Sequence, residues 1–105
     1  MSLKSISPQA AAELMAKGAV LVDIREANER ARIHIPGTVP AALSTIATVD
    51  LPKDASAVIF HCKSGMRTKT NAATLAGKTD CEAYVVEGGL DAWVKSGLPH
   101  KVDGK

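Results

Sequence analysis

The chain reads as an α/β protein: a mostly parallel sheet with helices on both faces. Three observations carry that expectation. The segments 19–24 and 57–60 are nearly unbroken apolar runs, the composition of strands covered on both sides. Stretches rich in helix formers alternate with them, as at 8–17, 68–77 and 90–96. The connections are short and carry glycine or proline, as at Gly18, Pro36-Gly37, Pro52, Gly77 and Gly88-Gly89.

Taken in order, a short strand at 3–6 leads into a helix whose N-cap is Ser7. Pro8 suits the first turn, because the N–H it lacks has no intrahelical partner there. Gly18 stops this helix, and 19–24 follows as a strand. The polar segment 26–32 is a short surface helix, His34–Gly37 a turn, and 38–43 a short strand limited by Pro40. One loose helical turn is expected within 44–51. Strand 57–60, a loop and helix 68–77 come next, then a strand at 82–86 and the Gly88-Gly89 turn. A last helix at 90–96 carries Trp93. Residues 4–99 are expected to form the core of one domain, and 100–105 a loose tail.

Aromatic residues are only 3% of the chain, so the core must be built from Ala, Val, Leu and Ile. No window approaches the roughly 18 apolar residues of a membrane span, and the start lacks the apolar stretch of a signal peptide. A soluble, cytoplasmic protein is expected. A net charge of +2 is too small to imply nucleic acid. Two cysteines make no disulfide framework and lack the paired spacing of a zinc site, so neither a metal nor another cofactor is expected.

Charge is concentrated where the chemistry is. Between His61 and Asn71 stand Lys63, Arg67 and Lys69 with no carboxylate. Cys62 sits at the head of this run, between a buried strand and a helix start. The first N–H groups of a helix lack intrahelical partners, so such a loop can cradle an anion. The reactive form of cysteine is the thiolate, which helix N-termini and neighbouring cations favour. Cys62 is therefore the candidate nucleophile. The alternative is an inert buried thiol at a strand end.

The order of motifs resembles a single-domain rhodanese. Leu21-Val22-Asp23-Ile24-Arg25 with Glu29, His34-Ile35-Pro36-Gly37, the cysteine loop, and Gly88–Trp93 through Gly97-Leu98-Pro99 occur in that family's sequence. The resemblance runs from Ile6 to Pro99. It implies a five-stranded, mostly parallel sheet flanked by helices, with the cysteine loop at a strand's carboxyl end. It also implies that Cys62 takes a sulfane sulfur from thiosulfate or a related small anionic donor, becomes a persulfide, and passes the sulfur to cyanide or a thiol. A carrier or sensing module without turnover is the alternative. Related phosphatases of this fold carry Cys-x5-Arg, whereas Cys62 to Arg67 is Cys-x4-Arg, a tighter ring less suited to phosphate or arsenate.

Around Cys62, the substrate-binding candidates are Lys63, Ser64, Gly65, Met66, Arg67 and Thr68, with Arg25 as a secondary anion contact. Arg67 leads; a plain surface cation is its alternative. Lys63 contacts donors or points to solvent, Thr68 binds or merely caps the helix, and Gly65 allows a backbone conformation or close approach. By the resemblance Asp23 and Arg25 brace the active-site end, and a structural ion pair is the favoured alternative to the Arg25 anion contact. His61 and His34 are expected to be structural, Cys81 structural or incidental, and the protein a monomer. Two departures from the family concern the short helix: Arg30 replaces a common aromatic, and Ile33 the usual glycine before His34.

Overall fold

A computed structural model describes residues 3–102. Five strands form the main sheet: β1 (Lys4–Ile6), β2 (Val20–Asp23), β4 (Val39–Pro40), β5 (Val58–His61) and β6 (Ala83–Val86). Their order is β1-β6-β5-β2-β4, and every adjacent pair is parallel. Central β5 is buried along its whole length, which is why Val58, Ile59 and Phe60 are apolar without alternation. Pro40 is tolerated because β4 lies at the sheet edge.

The pleat sends neighbouring side chains into two separate cores. On one face Val22, Val58 and Phe60 pack with Ile46 of a 3-10 helix (Leu43–Thr48) and Leu75 of α4 (Ala72–Ala76). On the other, Leu21, Ile59 and Val86 meet Ala11 of α1 (Pro8–Ala16) and Leu90 and Trp93 of α5 (Gly89–Lys95). Ser7 caps α1 as expected, its hydroxyl accepting the Ala10 N–H at 3.1 Å. The remaining helices are α2 (Ala27–Arg32) and α3 (Met66–Thr70).

Two segments depart from the sequence expectation. The helix expected over 68–77 starts earlier, at Met66, and is split at Asn71. The Asn71 side chain donates to the Arg67 carbonyl at 2.8 Å, competing for a backbone acceptor as asparagine commonly does. The expected loose tail is also partly ordered. Lys101–Val102 (β7) pairs antiparallel with Ile33–His34 (β3), and the Trp93 indole donates to the Pro99 carbonyl at 2.7 Å. Residues 103–105 of that tail lie outside the described residues.

Candidate active site

Where β5 ends, the chain delivers Cys62 to the carboxyl edge of the sheet, the side on which open α/β sheets bind ligands. Its side chain joins the same apolar cluster as Phe60, two residues back along the strand, and only 1% of the residue is exposed. The chain then turns back on itself at Gly65, whose φ of +96° is costly for any residue with a Cβ. That turn aims the Gly65 N–H at the Cys62 Sγ, 3.1 Å away. Gly65 is thus the N-cap of α3, a role the sequence pattern had suggested for Thr68. Thr68 instead lies inside α3; its hydroxyl donates to the Gly65 carbonyl at 2.9 Å and stands 3.9 Å from Sγ. Among the described residues no acceptor takes the N–H of Met66, Arg67 or Thr68, the open donors of a helix start.

A second element holds the loop in this shape. The Leu90 and Asp91 N–H groups at the start of α5 donate to the carbonyls of Cys62 and Lys63, at 2.8 and 2.9 Å. Those bonds hold the loop in the shape that turns the Gly65 N–H to the sulfur. Gly89 makes the approach possible: a Cβ there would stand 2.5 Å from the Cys62 carbonyl oxygen. The sequence showed only a tight turn at Gly88-Gly89. Its service to the loop is a tertiary contact, and two adjacent glycines opening a helix were the one visible sign of it.

The local charge differs from the sequence expectation. Lys63 is paired with Asp91, Nζ to Oδ1 at 3.2 Å, both side chains being exposed. Arg67 holds Glu29 through two parallel bonds of 2.7 and 2.8 Å. Its guanidinium pulls the Glu29 carboxyl down to about 2, and the carboxylate in turn raises Arg67. Two of the three cations in the run therefore already have carboxylate partners, and free positive charge beside Cys62 is smaller than composition implied. Ser64 and Met66 project outward, Met66 with 66% of its surface exposed.

Beneath the loop lies a buried polar knot. Asp23, fully buried, accepts from the Arg25 backbone N–H and Nε at 2.9 and 3.0 Å and from Arg25 Nη2 at 2.9 Å. Arg25 is itself 3% exposed and also donates to the Ile33 carbonyl, so its guanidinium serves the structural pair. Burial pushes the Asp23 carboxyl up, but the hydrogen bonds and charge of Arg25 outweigh it and hold it below the usual range. His61 packs beside the pair with Nε2 3.9 Å from Asp23 Oδ2 and Nδ1 3.1 Å from the Cys62 carbonyl oxygen. Burial lowers its pKa, favouring the neutral ring. Arg30 joins Asp23 at 3.2 Å and donates to the Thr38 hydroxyl and carbonyl, tying α2 to the turn after His34. The unusual residue at that position thus has a packing role of its own. Among the described residues no group of His, Cys, Asp or Glu is arranged to hold a metal, and Cys81 Sγ faces the Lys53 carbonyl at 3.7 Å.

A parallel open sheet with a thiol cradled at the carboxyl end of its central strand defines a class of α/β proteins that present one cysteine to a small ligand. A family model described as the rhodanese-like domain matches residues 7–96, and the chain belongs to that family. It is 38% identical over 96 residues to a thiosulfate sulfurtransferase GlpE of Ectopseudomonas mendocina, covering 86% of this chain and 84% of that one. A Haemophilus influenzae protein of the same name is 33% identical over 100 residues, covering 94% and 95%. A rhodanese-related protein from Thermoplasma volcanium has the same fold, with a TM-score of 0.81 at 22% identity over 95% of this chain and 99% of that one. Among the described residues no helix is long and apolar enough to cross a membrane.

Proposed function

We propose that this chain is a rhodanese-type sulfurtransferase, cytoplasmic and monomeric. The observation that carries the reading is the Gly65 amide aimed at Cys62 Sγ inside a Cys-x4-Arg loop. In the first half-reaction the Cys62 thiolate attacks the outer sulfur of thiosulfate. The sulfur–sulfur bond of the donor breaks, and sulfite leaves with the electron pair. In the second, cyanide or a thiolate attacks the outer sulfur of the Cys62 persulfide and regenerates the thiolate. Two chemical steps with a covalent intermediate give ping-pong kinetics.

The residues divide the work by position. Cys62 is the nucleophile. The amides of Gly65, Met66, Arg67 and Thr68 hold the anionic outer sulfur, since oriented donors in a water-poor site stabilise developing charge at little reorganisation cost. Lys63, Ser64 and the Arg67 side chain line the donor's approach, and Arg25 braces the loop from below through Asp23. No cofactor is required. The names of the curated relatives support thiosulfate as a donor.

The pairing of Lys63 and Arg67 with carboxylates favours a second reading, a persulfide carrier that turns thiosulfate over slowly. The test incubates the protein with thiosulfate and cyanide, beside an aryl phosphate. Thiocyanate without phosphate release is the expected result; a stable persulfide without turnover would favour the carrier. Phosphate release without thiocyanate would sink both.

A further inference from the structure

We propose that Glu29 is a specificity-determining residue: an internal anion seated on Arg67 that weakens binding of doubly charged donors at the Cys62 loop. The inference rests on the sulfurtransferase reading and concerns which donors that site prefers. Arg67 closes the cysteine loop, and its fork is the group a sulfonate-like donor would use. That fork is already filled. Both terminal nitrogens bond the two oxygens of Glu29, the geometry an incoming oxyanion would otherwise adopt.

Three further observations bear on this. Glu29 is fixed from its own side as well, because its Oε1 accepts the Glu26 N–H at 3.0 Å. The carboxylate is therefore oriented by α2 and does not merely follow Arg67. Both side chains are about one-third exposed, at 34% for Arg67 and 28% for Glu29, so the pair stands at the rim where a donor can reach it. The Arg67 hydrogen bonds hold the Glu29 carboxyl down at about 2, so the pair is charged on both sides at neutral pH.

A thiosulfate dianion must therefore displace Glu29 from Arg67 or bind without that contact, against a fixed negative charge. An alkyl hydropersulfide carries at most one charge and no oxyanion group, so it makes no claim on the Arg67 fork. It can deliver sulfur by the same displacement: the Cys62 thiolate attacks the outer sulfur, and the alkyl thiol leaves.

The test follows single-turnover formation of the Cys62 persulfide by intact-mass spectrometry with each donor. Glu29→Gln is expected to lower the half-saturating thiosulfate concentration about tenfold, the scale of one charge-assisted contact. For the hydropersulfide the change should stay within about twofold. Adding Arg67→Gln to Glu29→Gln should erase the gain. Glu29→Asp keeps the charge but withdraws it by one methylene, and should shift thiosulfate binding less, in the same direction; it carries the test should Glu29→Gln not fold. Unchanged or weaker thiosulfate binding in both Glu29 variants would overturn the proposal, as would equal gains for the two donors. If neither donor labels Cys62 in the unmodified protein, the sulfurtransferase reading itself fails and this proposal falls with it.

Discussion

Cys62→Ser should reduce thiocyanate formation to background, a loss on the order of 10³-fold or more, while leaving the fold in place. The chemistry requires a nucleophile that bonds readily to sulfur and can carry it as a persulfide; a serine hydroxyl does neither. The fold has little reason to change. Serine is slightly smaller, and its oxygen can accept the same Gly65 N–H that Sγ accepts at 3.1 Å. The cost of the substitution comes from placing a hydroxyl in a site that is 1% exposed, and the Thr68 hydroxyl nearby can share it. Thermal unfolding within a few degrees of the unmodified protein, alongside lost turnover, is the expected pair of results. Turnover retained by the variant would remove Cys62 from the mechanism.

Gly89→Ala is expected to damage stability and activity together. Its φ of +61° already costs a residue with a Cβ roughly 1–2 kcal/mol. The new Cβ would also meet the Cys62 carbonyl oxygen at 2.5 Å and the Lys63 carbonyl group at 2.7 Å, which are backbone atoms with no rotamer to move to. Relief requires pulling α5 away from the loop, which breaks the Leu90 and Asp91 hydrogen bonds. A total of about 2–4 kcal/mol would lower the melting temperature by roughly 10 °C or more in a domain of this size. Gly37→Ala separates the two contributions, since Gly37 has a φ of +80° but nothing within 4 Å of its Cβ position. That variant should show the backbone cost alone and keep full activity. Equal behaviour of the two variants would mean that the Gly89 contact is unimportant to the loop.

The parts of the molecule legible in advance were those governed by neighbours in sequence. The apolar runs of β2 and β5, the Ser7 cap and the glycine stops each follow from local chemistry, and the order of motifs, through the family resemblance, implied a five-stranded, mostly parallel sheet. Cys62 stood out because a buried strand, a polar loop and a helix start are contiguous there. What is not legible in the sequence depends on residues far apart in the chain. Glu29 and Arg67 are 38 positions apart, so composition counted Arg67 as free charge when a carboxylate from another helix already held it. The same applies to Lys63 with Asp91, and to the α5 amides that hold the loop's carbonyls. β7 is not legible because a two-residue strand has no periodicity; only its partner in β3 makes it one. The break in the helix at Asn71 was open to inspection, since asparagine inside a helical run is a known competitor for backbone acceptors.

The most direct measurement is the intact mass of the protein after thiosulfate treatment and removal of excess donor. One added sulfur atom is expected, lost on adding cyanide with release of one equivalent of thiocyanate; it should be absent from Cys62→Ser and retained in Cys81→Ser. A mass unchanged at every donor concentration, or an added sulfur that follows Cys81, would contradict the assignment of Cys62 as the atom that carries the sulfur.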